Sequence, residues 1–281
     1  MKSTKIRSFA KLNLALNIVG KKSSLHKIES LVAFSSLNDE ILIKKINSKC
    51  HQILFEGEFS QNIPKNNTVL KLLQILEEKK LLKNKKFCIR IKKRIPNRAG
   101  LGGGSMNAAN ILKYFIKKKI IRINKKEIIT ISKKIGSDVI LGLRSTNLIL
   151  NSNNEIKYFT NCKKFHILIV KPNFGCSTKE IYSKVRKFNK PKFNRPSKKM
   201  FSFDNLKKMN NSLEQIVLSK YAKLREVKLF LENLSKPVFV RMTGSGSAMV
   251  AYFQSKRRCE YAKKQFNKKF KNCWCIASKT I

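Results

Sequence analysis

"IPNRAGLGGGSMNAAN", residues 95–110, is the stretch on which the reading of this chain turns. The 281 residues include only 11 glycines, and Gly100, Gly102, Gly103 and Gly104 are four of them. They stand directly before a helical pattern. From Asn107 to Lys118 the apolar residues Ala108, Ile111, Leu112, Phe115 and Ile116 recur at the spacing of one helix face. A helix N-terminus carries unpaired N–H groups and a partial positive charge. A preceding loop without Cβ atoms lets the backbone wrap closely around a phosphate. A single glycine would read as a tight turn; three in a row at the mouth of an amphipathic helix favour phosphate. Ser105 adds a hydroxyl for a phosphate oxygen or for Mg²⁺. The stretch is not a Walker A loop, and it lacks the dinucleotide glycine spacing within a βαβ unit.

Working outward, "AKLNLALNI" (10–18) alternates. Ala10, Leu12, Leu14, Leu16 and Ile18 share one side; Lys11, Asn13 and Asn17 share the other. This predicts a strand with a core face and a polar face, on which Lys11 would snorkel to solvent. "NKKEIITISKKIG" (124–136) offers Asn124 as N-cap, Glu127 three residues on, and Gly136 as a stop. "VFVRM" (238–242) and "MVAYF" (249–253) read as strands joined by "TGSGSA". Helices and strands mix without a βαβ rhythm, so the expected class is α+β. A polar stretch after residue 150 suggests two domains, 1–150 and 151–281. "RKFNKPKFNRPSKK" (186–199) reads as an exposed loop.

Only three aspartates occur. Asp204 reads as a helix cap and Asp39, beside Glu40, as part of a polar turn. Asp138 leads the apolar run Val139, Ile140 and Leu141. A carboxylate there either caps a short helix or works as a base.

The 62 Lys and Arg against 16 Asp and Glu give a net charge of +46. Lysines run along the whole chain rather than on one arm, so compositional drift outweighs a dedicated nucleic-acid surface. No run of 18 apolar residues is present, so no membrane span is expected. Lys11, Asn13 and Asn17 break the apolar stretch that a signal peptide would need, and the seven scattered cysteines read as reduced thiols. The expectation is a cytoplasmic protein without a structural metal.

At "PNRAGLGGGSMNAAN" (96–110) the chain resembles the GHMP kinases. Within them it is similar to the branch that phosphorylates 4-diphosphocytidyl-2-C-methyl-D-erythritol in the non-mevalonate isoprenoid pathway. "FAKLNLALNIVG" (9–20), "IGSDVILGLR" (135–144) and "VRMTGSGSAMVAYF" (240–253) match further motifs of that branch in order. The resemblance implies a two-domain fold with the active site in the interdomain cleft. It implies ATP and Mg²⁺ as cofactors, a small-molecule acceptor, no specific nucleic acid and no membrane, in a monomer or homodimer.

Matched position by position, Lys11 and Asp138 are the catalytic pair that the resemblance implies. Lys93, Pro96, Gly100, Leu101, Gly102, Gly103, Gly104 and Ser105 fall on the ATP site, and Gly244, Ser245 and Gly246 on the third motif. Asn13, His26, Thr178 and Tyr182 fall on the acceptor site, with His26 reading the cytosine. The chain departs from the pattern at Leu25, where the branch has a cytosine-stacking tyrosine after Ser23-Ser24, and at Met106 and Ile140. The missing ring predicts that cytosine stacks mainly on Tyr182. Two alternatives stay open: a homoserine- or mevalonate-type kinase of the same superfamily, and a basic nucleic-acid-binding protein without turnover.

Overall fold

The computed structural model describes residues 3–23 and 25–281, so Ser24 lies outside the described residues. Its strands are β1 (Thr4–Lys22), β2 (Leu25–Ile46), β3 (Gln52–Glu56), β4 (Lys86–Lys92), β5 (Asn147–Leu150), β6 (Ile156–Phe159), β7 (His166–Pro172), β8 (Phe239–Met242), β9 (Met249–Phe253) and β10 (Cys273–Lys279). Its helices are α1 (Thr68–Glu78), α2 (Gly103–Lys117), α3 (Lys125–Ile135), α4 (Thr178–Ser183), α5 (Phe203–Lys208), α6 (Glu214–Lys220), α7 (Ala222–Glu232) and α8 (Lys256–Lys269). The class is α+β, as the mixed pattern predicts.

Two compact units emerge, and they are not consecutive halves. The first holds Met1–Lys11, Leu37–Asn97 and Gly102–Ser145; the second holds Leu12–Ser36, Arg98–Leu101 and Thr146–Ile281. A cut at residue 150 would fall inside the second unit. There β5 and β6 form an antiparallel hairpin in which Leu150 faces Ile156, so the polar stretch after 150 is a turn and not a linker. β1 and β2 each give residues to both units.

In the first unit, the Glu40–Ile46 part of β2 pairs antiparallel with β4, and β3 pairs parallel with β4. Ile41 and Ile43 from β2, Leu72, Leu73 and Leu76 from α1, Ile111, Leu112 and Phe115 from α2, and Ile131 and Ile135 from α3 form one apolar core. Removing each such side chain from water contributes roughly 1.5–3 kcal/mol. The helix patterns hold. α3 starts at Asn124 with a reciprocal capping box to Glu127 and stops at Gly136. α2 begins four residues earlier than the apolar periodicity, because Gly103, Gly104 and Ser105 open it without a hydrophobic signal.

In the second unit, Ser30–Val32 of β2 pairs with β5, and β10, β7, β9 and β8 form a sheet in that order. Leu168, Val170, Met249, Ala251 and Phe253 of that sheet pack with Val217 of α6, Val227 and Leu231 of α7, and Ala262 and Phe266 of α8. Two expectations need correction. β1 is buried on both faces, because Lys11, Asn13 and Asn17 are as enclosed as the leucines between them. Ser202, not Asp204, caps α5; Asp204 sits in its first turn, where a negative charge still complements the helix dipole.

Candidate active site

Asp39 organises the approach to the glycine loop. It is 0% exposed and lies in the same strand phase as Leu37, Ile41 and Ile43, so its carboxylate points into the first unit's interior. The expected polar turn is therefore the middle of a buried strand. A bare carboxylate there would be costly, and four donors answer it. Lys93 forms a buried ion pair with it. The backbone N–H groups of Arg94 and Ile95 donate to Oδ1 at 2.8 and 2.9 Å, and Asn107 Nδ2 donates to Oδ2 at 3.0 Å. One side chain thus fixes both the segment entering the loop and the first turns of α2. The paired Lys93 ammonium borders the glycine loop at Gly103. Pro96 is buried directly after this anchored segment.

The loop itself is a backbone cradle. Gly102 is the N-cap of α2, with φ +68°, and gives α2 no side-chain cap. Met106 N–H donates to Gly102 C=O at 2.8 Å and begins the helical ladder. The N–H groups of Gly103, Gly104 and Ser105 lie ahead of that first bond, and no acidic side chain occupies the first turn. This is the donor set an anion needs. Crowding explains the absence of side chains. A Cβ on Gly103 would lie 3.1 Å from Ile95 Cγ2 and 3.2 Å from Lys93 Nζ; one on Gly104 would lie 3.1 Å from Thr68 Oγ1. Thr68, at the start of α1, donates to the Gly104 carbonyl at 2.7 Å. Met106, where the related branch has a serine, is turned inward against Gly142.

Beside this cradle lies the catalytic pair that the motifs imply. Lys11 Nζ is 2.8 Å from Asp138 Oδ2; the lysine side chain is 4% exposed and the aspartate 31%. Lys11 does not snorkel to solvent. Its stem runs past Gly102, where a Cβ would come within 3.3 Å of Lys11 Cε. The short helical turn after Asp138, Ile140–Leu143, has Val139 at its N-cap and no side-chain cap bond. The capping alternative for Asp138 has no support in this geometry. Its carboxylate faces the ammonium and reaches solvent, as a proton acceptor for an incoming alcohol must. Ser105 Oγ lies 3.9 Å from the Cβ position of Gly136, two residues before Asp138.

The second unit holds the remaining predicted residues. Thr243 gathers two of them: its Oγ1 accepts from Asn13 N–H at 3.0 Å and donates to the Gly100 carbonyl at 3.2 Å. Asn13 Nδ2 donates to Ser30 Oγ at 2.7 Å. Gly100, at φ +73°, has no room for a Cβ, which would overlap the Thr243 carbonyl. Leu101 is buried. The third motif therefore works as a backbone clamp. Ser247 and Ala248 donate their N–H groups to the carbonyls of Arg98 and Ala99 at 3.3 and 3.2 Å.

Thr178 and Ser245 share a hydroxyl hydrogen bond of 2.8 Å. One turn along α4 from Thr178, the Tyr182 ring lies 5.1 Å from the His26 ring. Burial, reinforced by the Lys21 charge, holds the His26 imidazole below its ordinary pKa, so it is neutral near pH 7. A neutral imidazole offers one donor and one acceptor nitrogen.

Sequence reasoning missed Asp39, Asn107, Thr243 and Ser30. For Asp39 a signal existed: a carboxylate in the core phase of an alternating strand. Asn107 lay within the quoted stretch without declaring a partner 68 positions away.

Residues 67–148 match the family model of the GHMP kinases N terminal domain. The structure resembles the crystal structure of a 4-(cytidine 5'-diphospho)-2C-methyl-D-erythritol kinase, with TM-score 0.78 and 21% identity over 99% of this chain and 100% of that one. It also resembles a homoserine kinase from Cytophaga hutchinsonii, with TM-score 0.74 and 14% identity over 100% and 95%. At those identities the likeness establishes the fold alone. The 4-diphosphocytidyl-2-C-methyl-D-erythritol kinase of Pelagibacter ubique is 57% identical over 281 residues, the whole of both chains. Agreement of that depth, end to end, makes this chain a member of the 4-diphosphocytidyl-2-C-methyl-D-erythritol kinase family within the GHMP kinases.

Proposed function

We propose that the protein transfers the γ-phosphoryl group of ATP to the 2-hydroxyl of 4-diphosphocytidyl-2-C-methyl-D-erythritol, releasing ADP, in the non-mevalonate route to isoprenoid precursors. The observation that carries this reading is the 2.8 Å Lys11–Asp138 pair set against an uncapped, glycine-opened helix N-terminus.

Phosphoryl transfer is chiefly a matter of positioning and charge neutralisation. ATP supplies the phosphoryl group. The backbone N–H groups of Gly103, Gly104 and Ser105 hold its phosphates. Asp138 accepts the proton of the acceptor hydroxyl as the new O–P bond forms and the bond to ADP breaks. Lys11 orients Asp138 and offsets the negative charge that gathers beside it. Asn13, two residues along β1 from Lys11, orients the methylerythritol end. His26 and Tyr182 take the cytosine: the first by its edge, the second by its face.

The donor set suits Mg²⁺ bound with its nucleotide. Among the described residues no group of three or more His, Cys, Asp or Glu side chains converges on a metal position. Mg²⁺ commonly keeps several waters and takes phosphate oxygens with one or two protein groups. Ser105 is the residue here that would help to hold it, and it would neutralise phosphate charge. Among the described residues no helix is long and apolar enough to cross a membrane, and we assign the enzyme to the cytoplasm.

The deciding experiment measures ADP release with the cytidyl diphosphate alcohol, homoserine and mevalonate as separate acceptors. Turnover confined to the first is expected. Equal or better turnover of a small acceptor would contradict the reading.

A further inference from the structure

The segment after α4 is no idle loop. Asn189 N–H donates to the Ile18 carbonyl at 2.8 Å, and Asn189 Nδ2 to Ser212 Oγ at 3.0 Å. Asn17 Nδ2 donates to the Lys190 carbonyl at 3.1 Å. The backbone N–H groups of Lys192 and Phe193 donate to the two carboxylate oxygens of Glu29 at 2.8 and 3.0 Å. Glu29 is fully buried, and Phe193 is buried beside the tether. A basic, proline-containing strap is thereby tied to β1 and β2 at successive residues.

Phe188 sits on this tied strap, directly before Asn189, yet its side chain is 48% exposed. Its ring lies 6.3 Å from His26, at an interplanar angle of 55°. Tyr182 approaches the same imidazole at 5.1 Å and 45°. Leu25, next to His26, is 74% exposed and offers no ring. A phenylalanine held in water by an anchored backbone loses the burial that normally favours it. Two aromatic faces around a ring with one donor and one acceptor nitrogen make a natural platform for a planar nucleobase.

We infer that Phe188 supplies the second stacking surface for the acceptor's cytosine, doing from the strap what Leu25 cannot do from β2. This inference rests on the proposed acceptor, and it names a specificity-determining residue that the family's motifs do not include. The Glu29 tether serves it by fixing where the ring stands.

The test compares wild type with Phe188→Ala, Phe188→Leu and Phe188→Tyr. It reads the KM for the cytidyl alcohol, the KM for ATP, kcat, and the inhibition constant of CDP as a direct probe of base binding. Phe188→Ala should raise the cytidyl KM and the CDP constant about 5- to 150-fold, the usual worth of one stacked base. The ATP KM should stay unchanged. Phe188→Leu keeps apolar bulk and should remain impaired; Phe188→Tyr should recover. Leu25→Tyr in the Phe188→Ala background should restore part of the affinity. Wild-type values for Phe188→Ala, or an equal loss in the ATP KM, would overturn the inference. If the wild-type enzyme does not phosphorylate the cytidyl alcohol, the functional reading fails on its own, and CDP binding still judges Phe188.

Discussion

Asp39 and Lys93 are buried and paired near the glycine loop, whereas Phe188 and Leu25 stand in solvent around His26. The first region is held by short polar contacts that lock the backbone: four donors on one carboxylate, and a lysine enclosed against Asp138. The second is held by a strap whose backbone is tied while its rings stay open. Phosphoryl transfer tolerates little misplacement, and on the proposed reading Lys11 sits on a strand, paired with Asp138, while the open N–H groups sit at a helix start. Recognition of a base needs only a flat apolar face and an edge. Several side chains can provide that, and a ring lost at residue 25 can be replaced from another segment. Departures from the family's motifs occur in both regions: Met106 and Ile140 beside the loop and Asp138, and Leu25 beside His26.

The largest effect expected from breaking the first region comes at the loop. Gly103→Val puts a branched side chain against Ile95 and Lys93, where the backbone is to meet phosphate. Its φ is not positive, so the substitution acts through crowding and not through backbone strain. Nucleotide binding, followed by calorimetry, should be abolished while circular dichroism stays native. Retained ATP affinity would reduce the loop to a packing turn.

A smaller but still severe effect is expected at Asp39. Asp39→Asn preserves shape and can still accept from the Arg94 and Ile95 N–H groups, but it leaves Lys93 as a buried charge without its counter-ion. Breaking such a pair costs about 3–5 kcal/mol, which urea unfolding can measure. A loss below about 1 kcal/mol would mean that the ion pair is peripheral to the region.

The smallest effect sharpens the second region. The His26 pKa is lowered, first by desolvation and then by Lys21, from an ordinary value of 6.5. The folded ring therefore resists protonation that the unfolded chain accepts. Its contribution to stability is present above pH 6.5 and is lost as pH falls. Base reading should follow the same window: the cytidyl KM should stay flat from neutral pH down to 6.5 and rise a few-fold only below it. A rise that begins above pH 7 would show that the imidazole is charged in the working enzyme.

How much of this was legible in the sequence depended on whether a residue's partner was local. The α2 face, the Asn124 capping box and the strands β8 and β9 were readable, because their signals repeat every two to four residues. That the glycines open a helix was readable, because a run of glycines before a helical pattern marks its mouth. The enclosed state of Lys11 and Asn13 was not, since alternation reports which residues share a face and not what covers it. The interleaved units were hidden for a similar reason. β1 and β2 are continuous in sequence and carry no composition shift where Lys11 gives way to Leu12 or Ser36 to Leu37. Phe188 lay in a Lys-, Asn- and Pro-rich run, and its tether to Glu29 spans more than 160 positions. A contact that distant leaves no trace in spacing.

The central claim is that Asp138 takes the proton and Lys11 serves it, and Asp138→Asn tests this most directly. Asparagine matches aspartate in size and caps a helix about as well, so a structural role would survive the change. It cannot accept a proton at neutral pH. With saturating ATP and cytidyl alcohol, kcat should fall by ~10²–10⁴-fold, with thermal stability and ATP affinity close to wild type. An Asp138→Asn enzyme that turns over within a few-fold of wild type would contradict the account.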